Sequence, residues 1–280
     1  MTGGTAGIGL QLTLELAAQG WDVTVVARDE ARGAAAVARI DEAAGRAAGR
    51  FVRADLSSVA ETRATGRRLA AEGPLHLLVN NVGGMWTERW LSPEGIEASV
   101  ALNHLSPYVL TETLLESLTA AAPSRIVNIT SGAVAAALPV FDDVEPPGPH
   151  YGLAATGRAK LAHLAHTVEL AGRLADTGVT VLAADPGPAA TDNAAQMTVD
   201  ILPPELRPHW EQIREGVTRP LHLAVRGPLA AATGAVPAAG AGLVIGPAGE
   251  PDSTLLGSVT PEVTRAVRTW TEKLLATTGP

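Results

Sequence analysis

The chain has 280 residues, of which 46% are hydrophobic and 18% charged, values typical of a single globular domain over residues 1–280 and not of a disordered chain. Its formal net charge of −8, without any cluster of Lys and Arg, argues against nucleic acid or an anionic membrane surface as a partner. The sequence has no cysteine, no metal-ligand spacing among its seven His, no apolar run of the roughly 18 residues that span a membrane and no basic leader, so we expect a cytoplasmic protein without disulfide or metal site.

Apolar runs alternate with amphipathic Ala- and Leu-rich segments along the whole chain. In chain order the runs predict strands at 23–27, 49–53, 75–80, 125–129, 179–184 and 242–245. The segments between them predict helices at 9–19, 29–44, 58–71, 92–121, 153–176 and 220–233. Short apolar strands are typically buried on both faces, and helical connections between them give right-handed crossovers into one parallel sheet. The sequence therefore predicts an α/β fold, a doubly wound (Rossmann) parallel sheet flanked by helices in three layers.

A glycine-rich turn stands at the start of the first helix, where residues 2–9 read Thr-Gly-Gly-Thr-Ala-Gly-Ile-Gly. Glycine allows a tight turn and a close approach of the backbone to a diphosphate, while free N–H groups and the positive end of the helix dipole attract the phosphates. The turn predicts cofactor binding by Gly3, Thr5, Gly7, Ile8 and Gly9. A glycine-rich helix entry without any nucleotide is the alternative.

Only Met1 precedes this turn, at the position where the first strand of a doubly wound sheet would stand. That strand normally lies at the centre of the sheet, so its loss would leave two neighbouring strands with unpaired backbone groups. Three explanations are open: residues upstream of Met1, a trimmed chain, or a sheet that has lost most of this strand. We expect upstream residues.

The strand predicted at 23–27 is followed by Arg28 and then Asp29. An acidic residue at this strand end would bind the ribose 2′-hydroxyl of NAD(H), whereas an Arg accommodates the 2′-phosphate of NADP(H). Arg28 therefore favours NADP(H). Asp29 is better placed to cap the next helix, although it keeps NAD(H) as the alternative cofactor.

Two proline-rich segments, 132–150 and 191–219, break the alternation, and each follows the carboxyl end of a predicted strand. Ligands of open α/β sheets bind at that edge, so both segments are candidate substrate walls, with surface insertions as the alternative. The second segment has the apolar residues of a short amphipathic lid for an apolar small-molecule substrate: Pro203, Pro204, Leu206, Trp210, Ile213 and Val217. The first has polar side chains that could supply an acid or base or could simply face solvent: Asp142, Asp143, Glu145 and His150.

Further motifs follow in register along almost the whole chain: Asp55-Leu56, Asn80-Asn81-Val82-Gly83, Asn103, Ser131, Lys160, Pro186-Gly187 and Thr191. With the glycine turn they resemble the short-chain dehydrogenase/reductase family, and the long gap between Ser131 and Lys160 is similar to its retinol dehydrogenase-like branch. The resemblance implies an oxidoreductase, and a homodimer or homotetramer in which the helix carrying Lys160 pairs with its copy. It implies cofactor contacts from Asp55, Leu56, Asn81, Gly83, Lys160, Pro186, Gly187 and Thr191.

The resemblance also implies a catalytic Tyr four residues before Lys160, but Thr156 stands there. Residues four apart share a helix face, where the Lys lowers the pKa of the phenol and holds the nicotinamide ribose. An aliphatic hydroxyl has a pKa far above the roughly 10 of Tyr, so Thr156 can donate a hydrogen bond but is a poor proton relay. Tyr151 lies on the opposite face of a continuous helix, or could swing towards the pocket from a preceding loop. Ser131, Lys160 and Asn103 can still orient a carbonyl, the ribose and a water.

Three functions are compatible with this pattern. The first is an NADP(H)-dependent oxidoreductase acting on the carbonyl or alcohol of a small apolar, polyketide-like metabolite, with the cofactor performing the hydride transfer. The second, motivated by Thr156, is a non-redox enzyme of the same fold in secondary metabolism, such as a cyclase, dehydratase or isomerase. The third is a nucleotide-binding protein without turnover, because a fold does not fix a function.

Overall fold

The computed structural model describes residues 1–143, 148–235 and 243–279. In this part of the chain six strands, all in parallel pairs, form one group in the order β2-β1 and another in the order β3-β4-β5-β6. Their bounds are β1 Val23–Ala27, β2 Gly49–Arg53, β3 Leu77–Asn80, β4 Ser124–Ile129, β5 Val179–Ala184 and β6 Val244–Ile245. Each predicted strand is present, although Gly242, at the start of the last one, lies outside the described residues.

The described residues form eleven α-helices: α1 Gly7–Ala18, α2 Glu30–Ala44, α3 Val59–Ala70, α4 Ala98–Val100, α5 Ser106–Ala120, α6 Gly152–Arg173, α7 Asp192–Ala195, α8 Trp210–Gly216, α9 Leu221–Ala224, α10 Arg226–Thr233 and α11 Pro261–Ala276. A π-helical segment, Ala101–Leu105, joins α4 to α5. The single helix predicted at 220–233 is instead the pair α9 and α10. The last helix, α11, was not predicted.

The helix predicted at 92–121 begins later, at Ala98, for a local reason. The Glu97 carboxylate accepts hydrogen bonds from Ser99 N at 2.9 Å and Val100 N at 3.2 Å, and so caps the first turn. The residues before Glu97 form a separate turn. This cap fixes the start of the helix that delivers Asn103 to the sheet edge.

Helices cover both faces of the sheet because successive strand residues point to opposite faces. In β4, Val127 packs in a buried cluster with α1 and α10, whereas its neighbour Ile126 packs in a cluster with α5 and α6. Helix α2 joins the first helical layer and α3 joins the second. This three-layer arrangement confirms the predicted doubly wound fold.

The first residues of the chain lie between β1 and β3, where Thr2 forms an isolated parallel bridge with Val26. The Met1 ammonium donates to Thr24 O at 2.9 Å, and Met1 O accepts from Val26 N at 2.9 Å. On the other side, Thr2 N donates to Val79 O at 3.0 Å. These bonds link β1 to β3 near their carboxyl ends and place the glycine turn at that edge of the sheet.

Candidate functional site

The glycine turn leads from these first residues into α1. Gly3 and Gly7 have φ angles of +65° and +53°, in the left-handed region that favours glycine. A Cβ on Gly9 would lie 2.3 Å from Gly3 O, so a side chain there would collide with the backbone. The N-cap residue of α1, Ala6, makes no side-chain hydrogen bond, which leaves the first amides of the helix available to an anion.

Asn81 ties the turn to the end of β3. Its Nδ2 donates to the carbonyl oxygens of Thr2 at 3.1 Å and Gly3 at 3.2 Å. The Thr2 hydroxyl oxygen in turn accepts from Asn81 N at 2.9 Å and Val82 N at 3.0 Å. The Asn81 side chain is thus engaged in holding the turn, and its predicted contact with a cofactor stays a prediction.

A cavity of about 420 Å³ opens beside the turn. It is lined by Thr5, Ala6, Gly7, Leu10, Gln11, Arg32, Arg39, Asp192 and Leu221. Arg32 and Arg39 are seven residues apart on α2, so they project from nearly the same helix face. Thr5 and Gly7 were predicted from the sequence as cofactor-binding residues, whereas the two arginines were not, although their spacing was visible. The cavity therefore joins the turn to two cations from another helix. Ile8, also predicted, lies in the first turn of α1.

Arg28 is exposed directly after β1, where the sequence placed it. Asp29 does cap α2, because its Oδ1 accepts from Arg32 N at 2.8 Å. This bond uses one of the two carboxylate oxygens of Asp29, while Arg28 stays exposed at the strand end. Its role as a ligand of the 2′-phosphate stays a prediction.

Asp55 and Leu56 follow β2 and are both engaged in the fold. Asp55 Oδ1 accepts from the backbone N of Ser57 at 3.0 Å and from its hydroxyl at 2.8 Å. The Leu56 side chain is buried in a cluster with Val26 and Val52. The cofactor contact predicted for these two residues stays a prediction.

Lys160 reaches the sheet edge from α6. Its Nζ donates to Ile129 O, at the end of β4, at 2.7 Å. Burial lowers the pKa of Lys160 to about 8, and the carboxylate of Asp185 opposes this shift. Burial also raises the pKa of Asp185, whereas a hydrogen bond from Gly187 N lowers it. The structure thus places an ammonium that titrates near neutrality beside the ends of β4 and β5.

Asn103 lies in the π-helical segment and is fully buried. Its Oδ1 accepts from Gly84 N at 3.1 Å and its Nδ2 donates to Gly84 O at 3.0 Å. A Cβ on Gly83 would lie 2.3 Å from Asn103 Oδ1 and 3.4 Å from Lys160 Nζ. Asn103, Gly83 and Lys160, all predicted from the sequence, are therefore brought together at the end of β3.

Thr156 is buried on α6 one turn before Lys160, with an exposed fraction of 4%. Its hydroxyl donates to Gly84 O at 3.3 Å, so it binds the same carbonyl as Asn103 Nδ2. Tyr151 is the N-cap residue of α6 in extended backbone conformation, which places it before the helix and not on its opposite face. Thr156 thus stabilises the loop after β3, and Tyr151 is not aligned with Lys160 by helix spacing.

Ser131 follows β4, and its Oγ accepts from Ala133 N at 3.2 Å at the start of a 3-10 turn over 132–136. A hydroxyl oxygen that accepts this bond can still donate its hydrogen outward. The segment beyond is held to the protein by its backbone: Asp143 O accepts from Arg158 Nη2 at 2.6 Å and from Trp270 Nε1 at 2.9 Å. The side chains of Asp142 and Asp143 are exposed, and Glu145 lies outside the described residues.

The Pro186-Gly187 pair follows β5 and is pinned by Arg219. Arg219 Nη1 donates to Pro186 O at 3.0 Å, and its Nη2 donates to Leu223 O and Pro247 O, both at 3.0 Å. Gly187 has a φ of +67°. The Arg219 guanidinium thus fixes this loop through three carbonyl groups. This role of Arg219 was not predicted, because the three carbonyls belong to separate segments of the sequence.

Thr191 caps α7 by accepting from Ala194 N at 3.1 Å. A Cβ on Gly7 would lie 3.4 Å from Thr191 Cγ2, so the segment after β5 meets the glycine turn. The next residues of α7 include Asn193, which binds the backbone of Met85 and was not predicted.

Further along, the predicted lid contains 3-10 turns and α8, and Trp210 is partly buried at the start of α8.

Comparison with known proteins bears on this site. The family described as short chain dehydrogenase matches residues 1–201. Mouse retinol dehydrogenase 12 is 37% identical over 188 residues, covering 67% of this chain and 60% of that protein. Human retinol dehydrogenase 13 is 37% identical over 197 residues, covering 69% of this chain and 59% of that protein. The chain thus spans about 60% of the length of these relatives. These matches confirm the predicted similarity to the retinol dehydrogenase branch.

A solved short chain dehydrogenase from Burkholderia cenocepacia J2315, in complex with NADP, is similar in structure. The TM-score is 0.68 at 25% sequence identity, covering 89% of this chain and 95% of that chain. The fold of that protein and the fold described above agree. The assignment of residues 1–280 to one domain stays a prediction.

The predicted cytoplasmic location is wrong by the same comparison. It depended on the lack of an apolar membrane-spanning run, whereas the retinol dehydrogenases that the chain matches are membrane-associated enzymes. Among the described helices, none combines the length and the apolar character that a bilayer crossing requires.

Proposed function

The chain belongs to the short chain dehydrogenase family, and from that premise we propose that it is an NADP(H)-dependent oxidoreductase. Its substrate is the carbonyl or secondary alcohol of a small apolar, polyketide-like molecule. The observation that carries the proposal is the meeting of three features at one sheet edge: the uncapped glycine turn, Thr191 packed against Gly7, and the Lys160 ammonium beside Asn103 and Gly83.

The residues at the turn fit a dinucleotide. A side chain at Gly9 would collide with Gly3 O, so the tight turn requires glycine there, and the first amides of α1 have no side-chain cap. Arg28 at the strand end, with Arg32 and Arg39 along the adjoining cavity, supplies positive charge for a 2′-phosphate, and this favours NADP(H) over NAD(H). When bound, the dinucleotide supplies or accepts a hydride.

The residues of the chain then position the other reactant. Ser131 donates its hydroxyl hydrogen to the carbonyl oxygen, which stabilises the negative charge that develops there during reduction. Lys160 and Asn103 hold the nicotinamide ribose and a water near Gly83. The remaining contacts proposed from the resemblance, those of Asp55, Leu56, Asn81, Pro186 and Gly187, complete the cofactor site.

The proton that neutralises the product oxygen comes, in this proposal, from Lys160. Its pKa of about 8 lies close to a neutral working pH, which suits a general acid far better than the hydroxyl of Thr156 does. One N–H of Lys160 is used by Ile129 O, so two others can reach a water or the ribose. Tyr151 stays the alternative donor, since it lies just before α6.

The substrate class rests on the lid and on the relatives. The segment 191–219 contains the apolar residues of the predicted lid, and the mouse and human relatives are named for retinol, an apolar alcohol. The homodimer or homotetramer predicted from the resemblance stays a prediction.

A second candidate is favoured by one observation. Thr156 stands at the position of the expected phenol and is bonded to Gly84 O, so the usual proton donor is absent. A non-redox cyclase, dehydratase or isomerase transfers no hydride, so it would not need a phenol at this position to protonate a reduced product. It would bind NADPH without oxidising it.

The two candidates are separated by incubating the purified protein with NADPH and a panel of apolar ketones while recording the NADPH absorbance. Steady oxidation that survives Tyr151→Phe and is lost in Lys160→Ala supports the oxidoreductase and excludes Tyr151 as a required proton donor. NADPH binding without oxidation, with conversion of a substrate at constant redox state, supports the second candidate. Absence of affinity for any nicotinamide dinucleotide by titration calorimetry overturns both.

A further inference from the structure

Helix α11 packs against α6, the helix that carries Thr156 and Lys160. It lies beyond residue 201, where the match to the family ends. None of the site residues predicted from the sequence lies on this helix. Its Trp270 is nevertheless among the largest fully buried side chains, and it contacts three of the elements around the candidate site.

The first of these elements is the π-helical segment that carries Asn103. The ring of the next residue, His104, stacks on the Trp270 ring with centroids 5.6 Å apart and planes inclined by 20°. The Thr271 hydroxyl donates its only hydrogen to Val267 O at 2.7 Å. His104 Nε2 therefore donates to Thr271 Oγ1, also at 2.7 Å. This bond and the stacked rings fix α11 against the segment of Asn103.

The second element is α6, through the buried side chain of Arg158. Arg158 Cζ lies 4.6 Å from the centre of the Trp270 ring and 5.4 Å from the centre of the Phe141 ring. A guanidinium over an aromatic face is attracted by the ring electrons, and the attraction is larger away from water. Arg158 Nε also donates to Val140 O at 2.8 Å. Arg158 thus connects α6 both to α11 and to the segment that contains Val140 and Phe141.

The third element is that segment itself, residues 131–143, which we call the wall segment. Asp143 O accepts from Arg158 Nη2 at 2.6 Å and from Trp270 Nε1 at 2.9 Å. A carbonyl oxygen has two lone pairs, so it can accept both bonds. We call these three groups, Asp143 O, Arg158 and Trp270, the clamp. The clamp ties the far end of the wall segment to α6 and α11 at one atom.

The near end of the wall segment begins at Ser131 and lies directly on α6. A Cβ on Gly157 would lie only 2.4 Å from Ala133 O, so the backbone of the 3-10 turn after Ser131 is in close contact with the helix. Gly157 stands between Thr156 and Arg158. Neighbouring residues of α6 therefore contact both ends of the wall segment.

The middle of the wall segment is apolar and faces solvent. Leu138 and Val140 have exposed fractions of 68% and 52%. Side chains with this exposure bury little apolar area, so they contribute little to holding the segment in place. Its position depends instead on the buried ring of Phe141 and on the clamp. The two exposed apolar side chains are available to an apolar ligand.

We propose that Trp270 is a positioning residue for the substrate, which acts through Asp143 O to hold the wall segment. The inference rests on the proposed function, in which Ser131 at the start of this segment binds the substrate oxygen. Leu138 and Val140 then present a fixed apolar surface to the rest of the molecule. NADPH binding does not depend on the clamp, since the glycine turn is held separately by Asn81.

The test uses Trp270→Phe, which keeps an aromatic ring beside His104 and Arg158 but removes the Nε1 donor. For acetophenone, taken as a member of the ketone panel, we expect KM to rise by about 5-fold or more through the loss of one hydrogen bond. The kcat should change by less than about 2-fold, and the Kd for NADPH should stay the same. Trp21→Phe, in the cluster that contains α1, is the matched control and should change none of the three.

A second readout needs no turnover. Val134 N donates to Ser131 O and Ala137 N donates to Val134 O, both at 3.1 Å, so the hydrogen exchange of these two amides reports whether the wall segment is held. We expect exchange about 5-fold faster or more in Trp270→Phe and unchanged in Trp21→Phe. Arg158→Lys keeps the positive charge but lacks the fixed fork of donors, and it should give the same pattern as Trp270→Phe.

Equal exchange of the two amides in Trp270→Phe and the wild type overturns the proposal. So does an unchanged KM for acetophenone in an active enzyme whose wall segment exchanges faster. Equally faster exchange throughout α6 and α11 would show a general loosening of the fold and would contradict a positioning role. If the wild type reduces none of the ketones, the proposed function fails, whereas faster exchange confined to the two amides supports the clamp.

Discussion

The side-chain amide of Asn193 is joined to the backbone of Met85 by two hydrogen bonds. Its Oδ1 accepts from Met85 N at 3.1 Å, and its Nδ2 donates to Met85 O at 3.0 Å. Met85 belongs to the loop after β3. The residue before it, Gly84, is held in the same way by Asn103. Asn193 therefore fastens the start of the lid segment to the loop beside Lys160.

Replacing this amide tests whether the lid is held in its working position. Two hydrogen bonds of roughly 1 kcal/mol each predict that Asn193→Ala raises the KM for NADPH or for the ketone by about 10-fold or more, with a smaller change in kcat. Asn193→Asp keeps only the hydrogen-bond acceptor, so its KM should lie between those of the wild type and Asn193→Ala. Steady-state kinetics measure the effect, and an unchanged KM in Asn193→Ala would show that the contact does not position the lid.

Thr156→Tyr should restore the missing proton donor. A phenol one turn before Lys160 can relay a proton, and general acid catalysis typically contributes about 100-fold or more to the rate. The loop at Gly84 must move to admit the ring, because Thr156 is buried against it. Thr156→Phe is the matched control, equal in size but without the hydroxyl. If kcat for ketone reduction is the same in both variants, the phenol has no role here.

The pH dependence of carbonyl reduction should report on Lys160. Burial lowers the pKa of this ammonium to about 8, so the protonated form is present below that pH and is lost above it. We therefore expect kcat/KM for reduction to fall as the pH rises through about 8. Lys160→Arg stays protonated at all these pH values and should flatten the fall, even at a lower absolute rate. A wild-type profile without a fall up to pH 9.5 (about 1.5 units above that pKa) would exclude Lys160 as the proton source.

Arg32 should discriminate NADPH from NADH. It lines the cavity beside the glycine turn, and a charge-assisted hydrogen bond to a phosphate contributes roughly 1.5 to 3 kcal/mol. Arg32→Ala should therefore raise the Kd for NADPH by about 10-fold or more and change the Kd for NADH little. The control is Arg46→Ala. Arg46 is an exposed partner of Asp22 and does not line this cavity. Titration calorimetry with both cofactors checks the prediction, and equal losses for NADPH and NADH would contradict it.

The sequence predicted the parts of this protein that depend on local patterns. The Val-rich runs at 23–27 and 179–184 have the bounds of β1 and β5, because buried parallel strands require continuous apolar residues. The four-residue spacing before Lys160 exposed Thr156 as the substitution in the catalytic pattern. Both inferences needed only residues that are close together in the chain.

Local sequence patterns could not predict contacts between distant segments of the chain. Asn193 and Met85 are 108 residues apart, and no local rule pairs them. Arg39 could have been associated with Arg32 by helix spacing, but only the fold shows that both face the glycine turn. Helix α11 was a different kind of miss, since its capping Thr260 and the Pro at its first position are visible in the sequence.

Two buried histidines should make the fold sensitive to acid. His104 Nε2 is paired with Thr271 Oγ1 at 2.7 Å, and His166 packs on Tyr108 with ring centroids 4.5 Å apart. Burial lowers the pKa of both imidazoles to about 3, from roughly 6.5 in the unfolded chain.

Between these values the unfolded chain binds more protons than the folded one, so stability is lost as the pH falls below about 6.5. The Tm should therefore drop from pH 7 to pH 5 in thermal unfolding followed by circular dichroism. His166→Phe keeps a ring against Tyr108 but takes up no proton, so the drop should be smaller in this variant. Its control is His222→Gln, at an exposed position, which should leave the drop unchanged. An equal drop in His166→Phe and the wild type would mean that other groups, such as carboxylates, account for the acid sensitivity.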